Sequence, residues 1–215
     1  MGQQRQREIT HMAVVQFRYS NIYDMNLAKW SDAVWQYENE LQGKQYAPDL
    51  QDRWQTHEDL ILKALDQYGF SFPPKVIAYI VTAWPGITAF SDPLTIPLYE
   101  NQETALVKTI HELIHVALSY KKNHLLKEKI FVSIKSVFPD ESYTTQLHIA
   151  VNLLQELITS KIPELYPLLA DEKQVSEERY PGQQKAWKIL AKISKVAEIE
   201  DPVDFLTRLN RAKTK

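Results

Sequence analysis

The run Val76 to Trp84, VIAYIVTAW, constrains the fold more than any other stretch of the chain. It is dense in β-branched and aromatic residues and is bracketed by Pro73-Pro74 and Pro85-Gly86, so it reads as a central β-strand. His11 to Tyr19, HMAVVQFRY, alternates in the manner of a second strand. Leu94 to Tyr99, LTIPLY, reads as a third, and its Pro97, which lacks an N–H, belongs at a sheet edge or a strand end.

Around these strands the apolar period is helical. Residues Met25 to Leu41 and Leu50 to Tyr68 repeat at three and four, through Trp30, Trp35, Leu60, Leu62 and Leu65, and Gly43 and Gly69 stand where helix stops belong. Helical patterns follow over Gln102 to Tyr120, His124 to Val137 and Ser142 to Lys161, with Phe138-Pro139-Asp140 as a breaker. Pro163 and Pro167 interrupt the order, a charged stretch covers Asp171 to Arg179, and helices are expected over Gln183 to Ala197 and Pro202 to Asn210. The expectation is an α+β fold, mainly helical with a small mixed sheet. Residues 1–170 form the main domain, and 171–215 form a helical extension packed on it.

Composition removes several classes of function. A net charge of -2 supplies no basic field to gather phosphates, which argues against nucleic acid as a partner. There is no cysteine, so any tightly held transition metal has to be bound by His, Asp or Glu. No stretch reaches the ~18 to 20 apolar residues of a membrane span. The opening MGQQRQREIT has no apolar core of a signal peptide, which makes the cytoplasm the expected location.

Within the helical stretch from Gln102 lies His111-Glu112-Leu113-Ile114-His115. On a helix, positions i and i+4 face the same way, so both imidazoles can reach one tetrahedral Zn2+ at ~2.0 to 2.1 Å. Glu112, one position on, is directed at a water on the metal rather than at the metal. Zinc lowers the pKa of such a water toward ~7, and the carboxylate can take its proton as general base. Leu113 and Ile114 at the variable positions place the motif in an apolar helix, unlike a solvated helix that happens to carry two histidines.

The stretch IHELIHVA, Ile110 to Ala117, resembles the zincin metallopeptidases. The order of elements is also similar: a strand at Val76 to Trp84, an edge strand at Leu94 to Tyr99, the motif helix, then a later helix able to supply a third ligand. The resemblance covers about Leu60 to Lys161 and implies a zincin-like fold, one Zn2+ per chain and hydrolysis of peptide bonds. Lys108 departs from it, since zincins usually carry an uncharged residue there. The metzincin subclass would want Gly at Leu118 and His at Lys121, and neither is present.

The third ligand has two main candidates. His148, Asn152 and Glu156 fall at i, i+4 and i+8 of the helix QLHIAVNLLQELITSK and share one face. If this helix packs antiparallel to the motif helix, His148 lies level with His111 and His115, which favours it. Glu156 is the alternative and would resemble gluzincins, although their usual small residue after the glutamate is here Leu157. Whichever does not bind metal could orient a ligand from outside. His124 lies across the end of the motif helix and reads as a surface or capping residue.

The expected activity is therefore a zinc peptidase, with Leu94 to Tyr99 offering main-chain hydrogen bonds to an extended peptide or protein substrate, as the resemblance implies. Tyr143, Tyr166 and Tyr180 are candidates for stabilising an oxyanion, with nothing to select among them. Two other readings keep the residues and change the role. One is an inactive zincin-like binding or structural module, and the other is a hydrolase of a non-peptide amide.

Overall fold

The computed structural model describes residues 14–83, 89–174, 180–192 and 206. Strand β1 (Val14–Tyr19) leads into helix α1 (Asn21–Trp30) and the long helix α2 (Tyr37–Gln67). Strands β2 (Lys75–Val81), β3 (Phe90–Ser91) and β4 (Leu94–Pro97) follow, then α3 (Gln102–Ser119). After a short 3-10 turn come α4 (His124–Val137), α5 (Tyr143–Thr159), the single turn α6 (Leu169–Glu172) and α7 (Pro181–Lys192). The fold is α+β with a small mixed sheet.

The sheet runs in the order β1-β2-β4-β3, parallel between β1, β2 and β4 and antiparallel at β3. β2 is central, as its composition requires, and Ala78 and Ile80 are fully buried. The strand before the motif helix is not at the edge, contrary to expectation. β4 lies between β2 and β3, and the two residues of β3 pair with Leu94 and Thr95. Pro97 occupies the strand end, where its missing donor is least disruptive.

The opposite edge is closed by side chains. Gln51 of α2 accepts from Phe17 N at 2.9 Å and donates to Val15 O at 3.2 Å, while Glu58 accepts from Val15 N at 2.7 Å. Polar side chains thus satisfy backbone groups that would otherwise recruit another strand. Trp54, fully buried between them in sequence, meets Phe17 edge-on at 5.9 Å and anchors α2 to β1.

Two expectations about α2 are corrected. The chain does not break near Gly43. It breaks after Trp30, where Ser31 caps α1, and restarts at Tyr37, where Asn39 Oδ1 accepts from Gln36 N at 2.8 Å. Gly43 and Pro48 both lie inside α2, so the two expected helices are differently divided. Gly43 is there for space: a Cβ would sit 2.1 Å from Cδ2 of Tyr19. Gly69 does end a helix, at φ +83°, with Gly69 N bonded to Asp66 O at 2.8 Å and Phe70 N to Leu65 O at 3.1 Å.

α3 is buried on nearly every side, with Ile110, Leu113 and Ile114 fully enclosed between the sheet, α2 and α5. Each such side chain contributes ~1.5 to 3 kcal/mol of transfer free energy, which anchors this helix in the core. Its start is capped by Asn101, whose Oδ1 accepts from Glu103 N at 2.9 Å. Its end is clamped by buried Asn123, which donates to Ala117 O and to Ser71 O, each at 2.7 Å.

α7 packs against α5, and Leu206 belongs to the same core as α3 and α5. The expected strand residues 11–13 and Trp84, the segment 175–179, the helix end 193–197 and, apart from Leu206, the helix Pro202 to Asn210 lie outside the described residues.

Candidate metal centre

α3 and α5 run in opposite directions where they touch. Gln155 reaches Val107 O, while further along α3 the ring of His115 meets that of His148. This pairing brings together His111 and His115 from one helix and His148 from the other. A ring nitrogen from each lies within 4.8 Å of the other two, and among the described residues no other His or acidic side chain joins the group.

The ring centres are 5.1 Å apart for His111–His115, 5.4 Å for His115–His148 and 5.8 Å for His111–His148. Three imidazoles on a tetrahedral ion with metal–nitrogen bonds of ~2.0 to 2.1 Å would have their centres roughly 5.2 Å apart. The observed triangle fits that arrangement with small adjustments. A plain packing triangle would need no convergent nitrogens.

Electrostatics favour the neutral form that a metal requires. Burial, then the neighbouring His115, holds His111 well below the usual histidine value despite its bond to Gln155. Burial and the proximity of His148 lower His115 to about 4. Burial also lowers His148, against the opposing hydrogen bond to Thr144 O. Three bases that resist protonation, packed ring to ring, are a ready donor set for a soft or borderline cation.

Glu112 follows His111 on α3 and is 7% exposed. Glu156, the alternative ligand, is not in the group. It lies further along α5, where its Oε1 accepts from Lys173 Nζ at 2.8 Å. Asn152, between them on the same face, donates to Gln183 O at 3.4 Å. The polar face of α5 is thus met by histidines at one end and by Lys173 and Gln183 along the rest. His124 is exposed and stands 3.6 Å from Glu128, one turn on.

Beside His148 is a cleft of about 450 Å3, walled by Thr144 and His148 of α5 and by Tyr180, Gly182, Gln183 and Lys185; His111 and His115 are not among its lining residues. Lys185 and Glu141 pair across it at 2.6 Å. Of the three candidate tyrosines, Tyr180 lines this cleft. Tyr143 is 62% exposed and stacks on Phe131 at 5.7 Å, and Tyr166 is on a 3-10 turn. A larger groove of about 980 Å3, along Tyr46, Asp52, Arg53, Tyr99 and Glu103, lies toward the start of α3 and includes none of the histidines.

The sequence reading passed over Gln155. It is fully buried on α5, with Oε1 2.9 Å from His111 Nδ1. An amide inside LLQELIT, a run whose other residues apart from Glu156 and Thr159 are apolar, was the available signal, since a buried polar side chain requires a partner.

Comparison of the chain with protein-family models, with curated proteins and with solved structures finds no match.

Proposed function

We propose that this chain is a zinc-dependent metallohydrolase of zincin type that cleaves peptide bonds, with His111, His115 and His148 as ligands and Glu112 as general base. The observation that carries the reading is the convergence of His148, from a separate helix, on the i, i+4 histidine pair. Three protein ligands and an open fourth position are the pattern of catalytic rather than structural zinc. Zinc held there would act as a Lewis acid and bring the pKa of a water molecule from its bulk value toward ~7.

The chain's own residues supply the rest. The Glu112 carboxylate accepts a proton during attack on the carbonyl and returns it to the departing amine nitrogen. Glu112 stands next to His111 on the buried helix α3, which supports this role. Substrate would enter along the β3–β4 side, since the β1 side of the sheet is already capped by Gln51 and Glu58. Tyr180, in the cleft beside His148, is the tyrosine best placed to meet developing negative charge.

Glu112→Gln tests the assignment, because it keeps the shape of the side chain and removes the base. The variant should bind zinc like the wild type and lose ~10²- to 10⁴-fold in hydrolysis of a peptide found by library screening. Peptide turnover at the wild-type rate would remove Glu112 from the mechanism. Zinc binding by a wild type that hydrolyses nothing would instead favour the inactive binding module.

A further inference from the structure

We infer that Gln155 is a positioning residue that sets the tautomer of His111, so that the metal-binding nitrogen is exposed before any metal arrives. The inference rests on the metal-site reading above but concerns the chain by itself. Its basis is a chain of hydrogen bonds in which each direction is forced by the next.

Val107 O is a backbone carbonyl and can only accept. The Gln155 atom 3.1 Å from it is therefore the amide NH2, which fixes the amide against the reverse orientation. Oε1 then faces His111 Nδ1 at 2.9 Å, and because Oε1 can only accept, the proton of the neutral ring is on Nδ1. Nε2 is left with a bare lone pair. A free histidine side chain in water prefers the opposite, Nε2–H, tautomer, so the Nδ1–H form is imposed by the fold.

His148 obeys the same logic through a different partner. Its Nδ1 is 2.9 Å from Thr144 O, another group that can only accept, so its Nε2 also carries the lone pair. That bond is local to α5, whereas Gln155 links α5 to α3. Gln155 therefore has two tasks: it orients the His111 ring, and it sets the spacing of the helices that bring His148 to it. Both partners are neutral, so neither can withdraw the Nδ1 proton and alter the tautomer.

The test is the imidazole ¹⁵N spectrum of the chelator-stripped, full-length chain near neutral pH, together with zinc affinity from competition with a chromophoric chelator. In the wild type, His111 should show the Nδ1–H tautomer. Gln155→Met, close in shape but without the amide, should release His111 toward Nε2–H and weaken zinc binding by ~10- to 100-fold, the usual effect of removing a partner that orients a ligand. Gln155→Glu keeps the acceptor and should retain the Nδ1–H form.

A wild-type His111 in the Nε2–H form would overturn the inference, and so would a folded Gln155→Met variant with unchanged tautomer and affinity. If the Met variant does not fold, the wild-type spectrum and the Glu variant still decide. A wild type with the expected tautomer but no affinity for zinc would instead sink the metal-site reading and leave the positioning role of Gln155 intact.

Discussion

Two polar clusters among the described residues, one around buried Asp24 and one formed by His111 and the half-buried His115 and His148, are built on opposite terms. Asp24 is fully buried at the end of β2 and is surrounded by donors: Thr82 N at 3.0 Å, Thr82 Oγ1 at 2.7 Å, Ala83 N at 3.2 Å, Tyr19 OH at 3.1 Å and Trp35 Nε1 at 3.3 Å. A carboxylate so satisfied has no remaining capacity for a ligand, and its surroundings are rigid. The three histidines are the reverse case. Like groups are pressed together, each resists protonation, and the lone pairs of His111 and His148 are directed away from their hydrogen-bond partners. A closed cluster stabilises a fold, while an open one holds binding capacity that the fold alone does not use.

The largest expected effect separates the two clusters directly. Asp24→Ala leaves several donors at the sheet end without their acceptor and should lower the free energy of unfolding by roughly 3 to 4 kcal/mol. Zinc affinity of the folded fraction should be unchanged. Denaturant titration with and without zinc measures both, and a loss of affinity equal to that of a ligand variant would erase the distinction drawn here.

Acid acts on the open cluster with a definite sign. The unfolded chain takes up protons on these rings near 6.5, while folded His115 refuses one until about 4. Stability present above pH 6.5 is therefore lost as pH falls toward 4, by about 3 kcal/mol for His115 alone. Melting of metal-free protein across this window should show the decline, and His115→Gln should flatten it. Parallel pH profiles for wild type and variant would contradict the assigned cause.

A smaller effect is expected at Gly43, which belongs to neither cluster but lies against Tyr19, a donor to Asp24. Gly43→Ala places a methyl group against the Tyr19 ring and should cost ~1 to 3 kcal/mol, more than helix propensity returns. Gly69→Ala, where the added carbon meets only Leu126 Cδ2 at 3.6 Å but φ is +83°, should cost about 1 kcal/mol. Thermal melts of the two variants rank them, and the opposite order would show that the helix can shift away from Tyr19.

What the sequence disclosed was local. The i, i+4 pair is visible because a helix places it on one face, and α4, with boundaries matching the structure, is visible because its apolar period is uninterrupted. What it concealed depended on distant contacts. Gly43 looked like a helix stop, yet its reason is a ring brought by β1. β3 is too short to show alternation, so β4 looked like an edge. Gln155 drew no attention, because its partners Val107 and His111 lie on a different helix, α3.

On the proposed function, the three-histidine cluster, and not the Glu156 end of α5, holds a metal. Zinc content per chain of gently purified wild type, His148→Ala and Glu156→Ala measures this most directly. One zinc per chain is expected in the wild type and in Glu156→Ala, with stoichiometric retention lost in His148→Ala. A wild type without zinc, or zinc kept by His148→Ala and lost by Glu156→Ala, would contradict the claim.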